Sequence, residues 1–467
     1  MFCSMKFRTE SDTLGKVQIP MDSLWGPQTQ RSINNFKIGK EGSMPIEIIY
    51  AYAILKKACA KSNYELGTLE KAKMELIVRA CDEIIEGKHD KEFPLVIWQT
   101  GSGTQTNMNL NEVISNIAHT LEGKKLSYSN KTLKPNDDVN KSQSSNDSFP
   151  TAMHIAAFKL VKENVIPALE SFHKTLIAKE KEFEKDVKIG RTHLMDATPL
   201  TLGQEFSGYA SQIKHGLKSL QNSLDHLSEL AIGGTAVGTG LNCPDGFDKL
   251  TVKNISKDCN INFKVAENKF EAIASHDAIV ETHSSIKQLA ISIYKIANDI
   301  RLLGSGPRAG FSELILPANE PGSSIMPGKI NPTQCEAICM VCAQIIGNDY
   351  TISFAGTQGH LELNVYKPLM ASKIIESLKL LTDSVISFEK NCVKGLKANK
   401  KIIKEHLNNS LMLVTALNNK IGYYKAAEIA NNAYRNGTTL KEEAIKLKYL
   451  TSSEFDQWVD PKKMTGK

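Results

Sequence analysis

Residues 270–303 read FEAIASHDAIVETHSSIKQLAISIYKIANDIRLL. Ile273, Ile279, Ile286, Leu289, Ile293, Ile296 and Ile300 are expected to surround nearly the whole of one helix, with few charges between them. A helix apolar on most sides must be buried by other helices, as at the centre of a bundle. Similar periodicity recurs in 333–347 and around 366–390. In 107–122, Leu110, Val113, Ile114, Ile117 and Leu121 share a face, and Gly123 offers a stop. Another helical pattern opens at Pro150 and runs to about Lys185 through Ile155, Ala156, Leu160, Val161, Leu169 and Leu176, bent or interrupted by Pro167. Long helices joined by short polar connections predict a mainly α fold with a central bundle. The flanks differ: short strand-like pieces mix with helices before it, and short helices ending in a polar tail follow. The expected division is a mixed, mostly helical part at 1–143, a long-helix bundle at 144–394 and a small helical part at 395–467.

The 467 residues are 41% hydrophobic and 23% charged, which excludes a disordered chain and supplies at least one large core. The net charge of +6 is spread along the sequence. No basic stripe with interleaved aromatics is present, so no nucleic-acid partner is expected. No run approaches the eighteen or so uninterrupted apolar residues of a membrane span. The opening MFCSMKFRTESDTLG lacks the apolar core of a secretory signal, and a cytoplasmic location is expected. Nine scattered cysteines argue for buried thiols rather than a disulfide framework.

Chemistry concentrates in polar stretches at helix starts. Gly101-Ser102-Gly103-Thr104-Gln105-Thr106-Asn107 precedes the helix of 107–122, and Ser142-Gln143-Ser144-Ser145-Asn146-Asp147 precedes Pro150. The third stretch is GSSIMPGKIN at 322–331, where Asn331 is a natural N-cap and Pro332 a natural first helical residue. Helix N-termini offer unpaired N–H donors and partial positive charge, which suits anions. Each stretch alone is what an ordinary cap looks like. Three together, two with glycines and one with a lysine, point to a small anion gripped by several helix ends. A fourth stretch, GRTHLMDATP at 190–199, places His193 in a loop before a helix, where an imidazole can move protons near neutral pH.

At these residues the sequence resembles the class II fumarases of the aspartase/fumarase superfamily. The superfamily signature GSSxMxxKxNPxxxE reads GSSIMPGKINPTQCE at 322–336. TGSGTQTNMNLNEVISN at 100–116, VNKSQSSNDSFPTAMHIA at 139–156, IGRTHLMDATPLTLGQE at 189–205 and AIGGTAVGTGLN at 231–242 are fumarase-like. So are ANDIRLLGSGPR at 297–308 and LMLVTALNNKIGYYKAAEIA at 411–430. The resemblance implies a homotetramer whose long helices share one multi-helix core, with each active site built from three subunits. It implies reversible hydration of fumarate to (S)-malate, a tricarboxylic acid cycle step, with no cofactor and no metal.

The implied mechanism removes a proton from the very weak carbon acid beside malate's carboxylate. The doubly charged aci-carboxylate that forms needs donors placed before the charge develops. By the family match Ser323 is the base, favoured in its deprotonated form by Lys329 and nearby N–H groups. His193 handles the proton on the departing hydroxyl through a water, with Glu336 orienting the imidazole. Lys329 and Asn331 stabilise the intermediate. Ser102, Gly103, Thr104, Ser144, Ser145, Asn146, Thr192, Ser324 and Ile330 join them in binding the carboxylates. A secondary dicarboxylate site of the family lies near His-Pro-Asn-Asp. Here Lys134, Pro135, Asn136 and Asp137 stand instead, which puts that site in doubt.

Within the superfamily, aspartate ammonia-lyase is the nearest rival; TQTNMN at 104–109 and GKINPTQCE at 328–336 argue against it. Cys335, Cys339 and Cys342 have the C-x3-C-x2-C spacing of iron–sulfur enzymes, but they share one face of an expected helix and read as core thiols. His276 and His283 are seven residues apart, too far for an ordinary ligand pair, and are expected at the surface or between helices. A non-catalytic bundle is rejected because Ser323, His193 and Lys329 are all present.

Overall fold

A computed structural model describes residues 6–127 and 130–466, so Cys3 lies outside the described residues. The chain is 62% helix and 8% strand. A hairpin, β1 (Phe7–Asp12) and β2 (Gly15–Pro20), opens the described chain. α1 (Pro27–Asn35), α2 (Ile46–Glu65), α3 (Lys71–Ile85), α4 (Thr104–Leu121), α5 (Ser145–Leu160) and α6 (Ile166–Glu182) follow. A second hairpin, β3 (Val187–Thr192) and β4 (Met195–Thr201), leads into α7 (Leu202–Leu227). After α8 (Phe247–Cys259) and α9 (Lys269–Ala274) come α10 (Asp277–Leu303), α11 (Thr333–Gly356) and α12 (Lys367–Asn391). α13 (Lys400–Asn409) begins a run of short helices that reaches Trp458.

The chain divides into two compact units. The first comprises the described parts of Met1–Pro167 with Lys218–Gln288 and Ala343–Leu381. Its centre is α2, whose Ile48, Tyr52, Leu55 and Ala58 are fully buried among α3, α5 and α8. Tyr52 meets Phe149 of α5 edge-on at 5.9 Å. His283 of α10 bonds Asp349 of α11 at 3.0 Å and Ser377 of α12 at 2.9 Å. It is an inter-helix residue, whereas His276 is buried and not at the surface.

The second unit comprises Ala168–Leu217, Leu289–Cys342 and Thr382–Lys467. Phe172 of α6 packs on Phe388 of α12, and Phe183 on Phe206 of α7. Tyr209 of α7 donates to Asp299 of α10 at 2.9 Å. Towards the C-terminus, Leu407, Leu417, Ile429, Ala433, Ala444 and Phe455 gather into a core cluster of their own.

Several expectations shift. Ser275 and His276 separate α9 from α10, so 270–303 is two helices. The named isoleucines and Leu289 of α10 fall at spacings of seven, three and four, a single buried stripe. Ile291, Tyr294 and Leu302 on other faces are exposed. α4 starts three residues earlier than expected. α5 starts five residues before Pro150, because Ser144 and Asp147 close a capping box and nucleate the first turn. The interruption near Pro167 is a π turn at Val161–Val165, in which the Ile166 N–H bonds the Val161 carbonyl. α11 begins at Thr333, with the Pro332 carbonyl taking its first bond and Asn331 occupied elsewhere. By length and composition α11 is apolar enough to cross a membrane, although only 33% of its most apolar window is buried in the single chain.

Candidate active site

In the first unit, Gly103 turns the chain into α4 with φ 78°. A Cβ there would lie 2.0 Å from the Phe149 ring, so glycine is required on two counts. Ser102 Oγ lies 2.8 Å from Thr104 Oγ1, which lies 2.8 Å from Ser145 Oγ. Two of the sequence-predicted stretches therefore meet at the N-termini of α4 and α5. The Ser144 hydroxyl accepts from the Asn146 N–H at 3.2 Å, and the Asn146 amide donates to the Ala236 carbonyl at 2.8 Å.

Three residues absent from the expected site build this cluster. Asp147 accepts backbone N–H bonds from Ser144, Gly233 and Thr235 at 2.9–3.0 Å, fastening residues 231–236 to α5. Burial pushes its carboxyl up to about 6, against those donors. The Ser-x-x-Asp spacing at 144–147 was the available signal. Lys56 of α2 is fully buried and donates to Asn107 at 2.6 Å, Gln143 at 2.9 Å and Asn140 at 3.0 Å. It ties α4 to the loop before α5, and burial lowers its ammonium to about 8. Its signal was a lysine inside the apolar run YAYAILKKACA at 50–60. Lys367, at the start of α12, is fully buried and donates to the Asn146 carbonyl at 3.4 Å. Nothing in its sequence context marked it.

Lys134 and Asp137 are exposed and ion-paired at 3.5 Å, so the lysine charge is partly neutralised by its neighbour. Pro135 and Asn136 lie in the π turn Pro135–Val139 beside them.

In the second unit, His193 and Leu194 form the two-residue turn of the β3–β4 hairpin with φ 57° and 61°. His193 is thus at a hairpin tip rather than in a loop before a helix. Both residues occupy the left-handed region without being glycine, at a cost of roughly 1–3 kcal/mol each. Thr192 and His193 are exposed. The hairpin base is held instead: Arg191 donates to Glu313 at 2.7 Å and stacks 4.4 Å over Phe311. Glu313 also meets Lys188 at 3.2 Å and His406 at 3.1 Å.

The 322–331 loop closes on itself. Gly322 N–H donates to the Lys329 carbonyl at 2.8 Å, and the Asn331 amide donates to the Gly322 carbonyl at 2.6 Å. That bond holds the Asn331 side chain within the loop, while the first helical bond of α11 goes to the Pro332 carbonyl. Ser323 Oγ accepts the N–H groups of Ile325 and Met326 at 3.2 and 3.0 Å. Ser324, Lys329 and Ile330 are exposed, and Ser323, Lys329 and Ile330 line a concavity of about 400 Å³. Glu336 is exposed on the first turn of α11. Among the described residues, no hydrogen bond or ion pair joins Glu336 to His193. Cys335, Cys339 and Cys342 are buried along α11, and no group of three His, Cys, Asp or Glu among the described residues is placed to hold a metal. The eight described cysteines are free thiols.

These loops and helices match known proteins along the chain. A family model described as lyase covers residues 15–347, and one described as fumarase C C-terminus covers 413–466. A class II fumarate hydratase of Pasteurella multocida is 62% identical over 99% of both chains, and one of Haemophilus ducreyi 61% identical over the same share. The crystal structure of a class II fumarase from Schistosoma mansoni superposes with a TM-score of 0.96 at 45% identity, covering 98% of this chain and 99% of that one. The chain belongs to the class II fumarate hydratases of this lyase family, and it is an enzyme of that kind.

Proposed function

We propose that the protein catalyses the reversible, metal-independent hydration of fumarate to (S)-malate by anti addition through an aci-carboxylate. The observation that carries this reading is the Ser323 hydroxyl oxygen, which accepts two backbone N–H groups on a lysine-bearing loop. Hydrogen bonds to the charged form favour it, so these donors lower the cost of an alkoxide. In the malate-to-fumarate direction, Ser323 takes the C3 proton and leaves the aci-carboxylate. His193, through a water, protonates the departing C2 hydroxyl, which leaves as water while the C=C bond forms. Glu336 orients that imidazole. Lys329 and Asn331 offset the charge, joined in binding by Ser324 and Ile330. Ser102, Gly103, Thr104, Ser144, Ser145, Asn146 and Thr192 hold the carboxylates; bonds to charged groups are worth about 1.5–3 kcal/mol each. Lys134 to Asp137 receive no role.

The reading includes a cytoplasmic homotetramer with each site shared by three subunits, and a three-part chain divided near residues 143 and 394. The buried core cluster from Leu407 to Phe455 lies on the C-terminal side of the second boundary, with Val187 of β3 packed against it. Aspartate ammonia-lyase activity is the disfavoured alternative.

The test follows fumarate by its ultraviolet absorbance with a chelator present, alongside Ser323→Ala and His193→Asn. Activity is expected to survive the chelator and to fall about 10²–10⁴-fold in each variant, the usual size of an acid–base contribution. A metal requirement, or ammonia release from aspartate instead, overturns it.

A further inference from the structure

Pro150 lies inside α5 and has no N–H to give the Asn146 carbonyl four residues earlier. Lys367 fills that gap, its ammonium 3.4 Å from the carbonyl oxygen. The Lys367 backbone N–H donates to the Gly101 carbonyl at 3.1 Å. Gly101 itself admits no side chain, since a Cβ would lie 1.4 Å from the Val365 carbonyl oxygen. One residue thus braces both polar stretches of the first unit, just behind Ser102–Thr104 and at the first turn of α5.

Its charge is poorly matched. An ammonium carries three donors, and the one hydrogen bond its side chain makes among the described residues is long. His276, buried beside it, has neither ring nitrogen bonded, and burial with the Lys367 charge holds its imidazole well below the ordinary histidine range, so it brings Lys367 no counter-charge. Asp147 is the carboxylate whose field supports it, but Asp147 is also the counter-charge of the buried Lys56. Two buried ammonium groups share one buried carboxylate, behind a helix N-terminus that is itself partly positive. Burial pushes the Lys367 ammonium down to about 7. Burial thus works against the charged form of Lys367, and an anion bound in front of Asn146 would favour it.

We propose that Lys367 is a substrate-affinity residue, whose buried charge behind Asn146 attracts a substrate carboxylate seated at Ser102, Thr104, Ser145 and Asn146. It is a positioning residue that acts through Asn146. The inference rests on the reading of that cluster as a carboxylate site and adds the charge that reading lacks.

The test uses the full chain as wild type, Lys367→Met, which is similar in length and uncharged, and Lys367→Gln, which retains a donor without the charge. Initial rates over a range of fumarate concentrations separate KM from kcat. Melting temperatures with and without succinate, a non-reacting dicarboxylate, read binding alone. Both variants are expected to raise KM tenfold or more, to keep kcat within about threefold, and to lose most of the succinate-induced rise in Tm. A wild-type KM and succinate shift in a folded variant overturns the proposal. Recovery of wild-type KM by Lys367→Gln also overturns it, because the hydrogen bond and not the charge would then matter. Loss of the folded state in both variants overturns it too, since that marks a structural residue. A wild type that binds succinate but does not turn over fumarate sinks the fumarate reading; the Lys367 assignment then stands or falls on the succinate shift.

Discussion

Glu112 shows how one residue's burial sets a pH dependence. Its carboxylate accepts the N–H groups of Gly26, Gln28 and Thr29 and the Thr29 hydroxyl, at 2.6–3.1 Å. It thereby caps α1 from α4 and makes Gly26 necessary, since a Cβ there would lie 2.7 Å from the carboxyl carbon. Burial nevertheless pushes its carboxyl up to about 7, more than these donors pull it down. A raised folded pKa means the native state holds its proton longer. The stability this group contributes is complete below about 4.5 and is lost as pH rises through about 7. Relative to Glu112→Gln, wild-type stability is therefore expected to shrink from pH 5 to pH 8, by on the order of 3 kcal/mol if the whole shift is expressed. Melting temperatures of both proteins at four pH values check this, and a gap that widens with pH counts against it.

At the scale of elements, the β3–β4 hairpin presents an exposed His193 from a base locked by buried charge. Burial alone would raise the Glu313 carboxyl, but Arg191, Lys188 and His406 outweigh it and hold it below the ordinary carboxylate range. Glu313→Gln removes the anion that Arg191, Lys188 and His406 share, and leaves Lys188 with Glu205 at 3.3 Å. Breaking a buried pair from one side costs about 3–5 kcal/mol, and denaturant unfolding should register a loss of that size. The hairpin was legible as the stretch GRTHLMDATP but not as a hairpin. Its turn uses His and Leu at positive φ, where sequence rules look for Asn or Gly. α5 was mislocated for a related reason. Pro150 reads as a helix start, yet the capping box at Ser144 and Asp147 begins the helix earlier, and Lys367 services the carbonyl that the proline leaves open.

Across the whole molecule, the apolar surface left by a single chain matters most. Met340, Tyr350 and Phe354 of α11 are 69%, 76% and 52% exposed, on a helix apolar enough to suggest a membrane span. The proposed association of four copies gives that surface a destination and would complete each site at the same time. Tyr350→Lys with Phe354→Lys is therefore expected to shift the sedimentation coefficient below that of a tetramer and to abolish fumarate turnover in the same preparation. Full activity in a dissociated chain would refute the shared site. The sequence by itself determined the helical class, the long central helices and the main polar stretches. Hydrophobic period and helix-start chemistry are local, and so are written in consecutive residues. Only the tertiary structure decided that Thr104 and Ser145 share a hydrogen bond, that Asp147 fastens residues 231–236, and that Lys56 and Lys367 stand buried behind Asn107 and Asn146. A lysine two hundred and more residues from its acceptor has no local signature; its partner is chosen by which helices pack together.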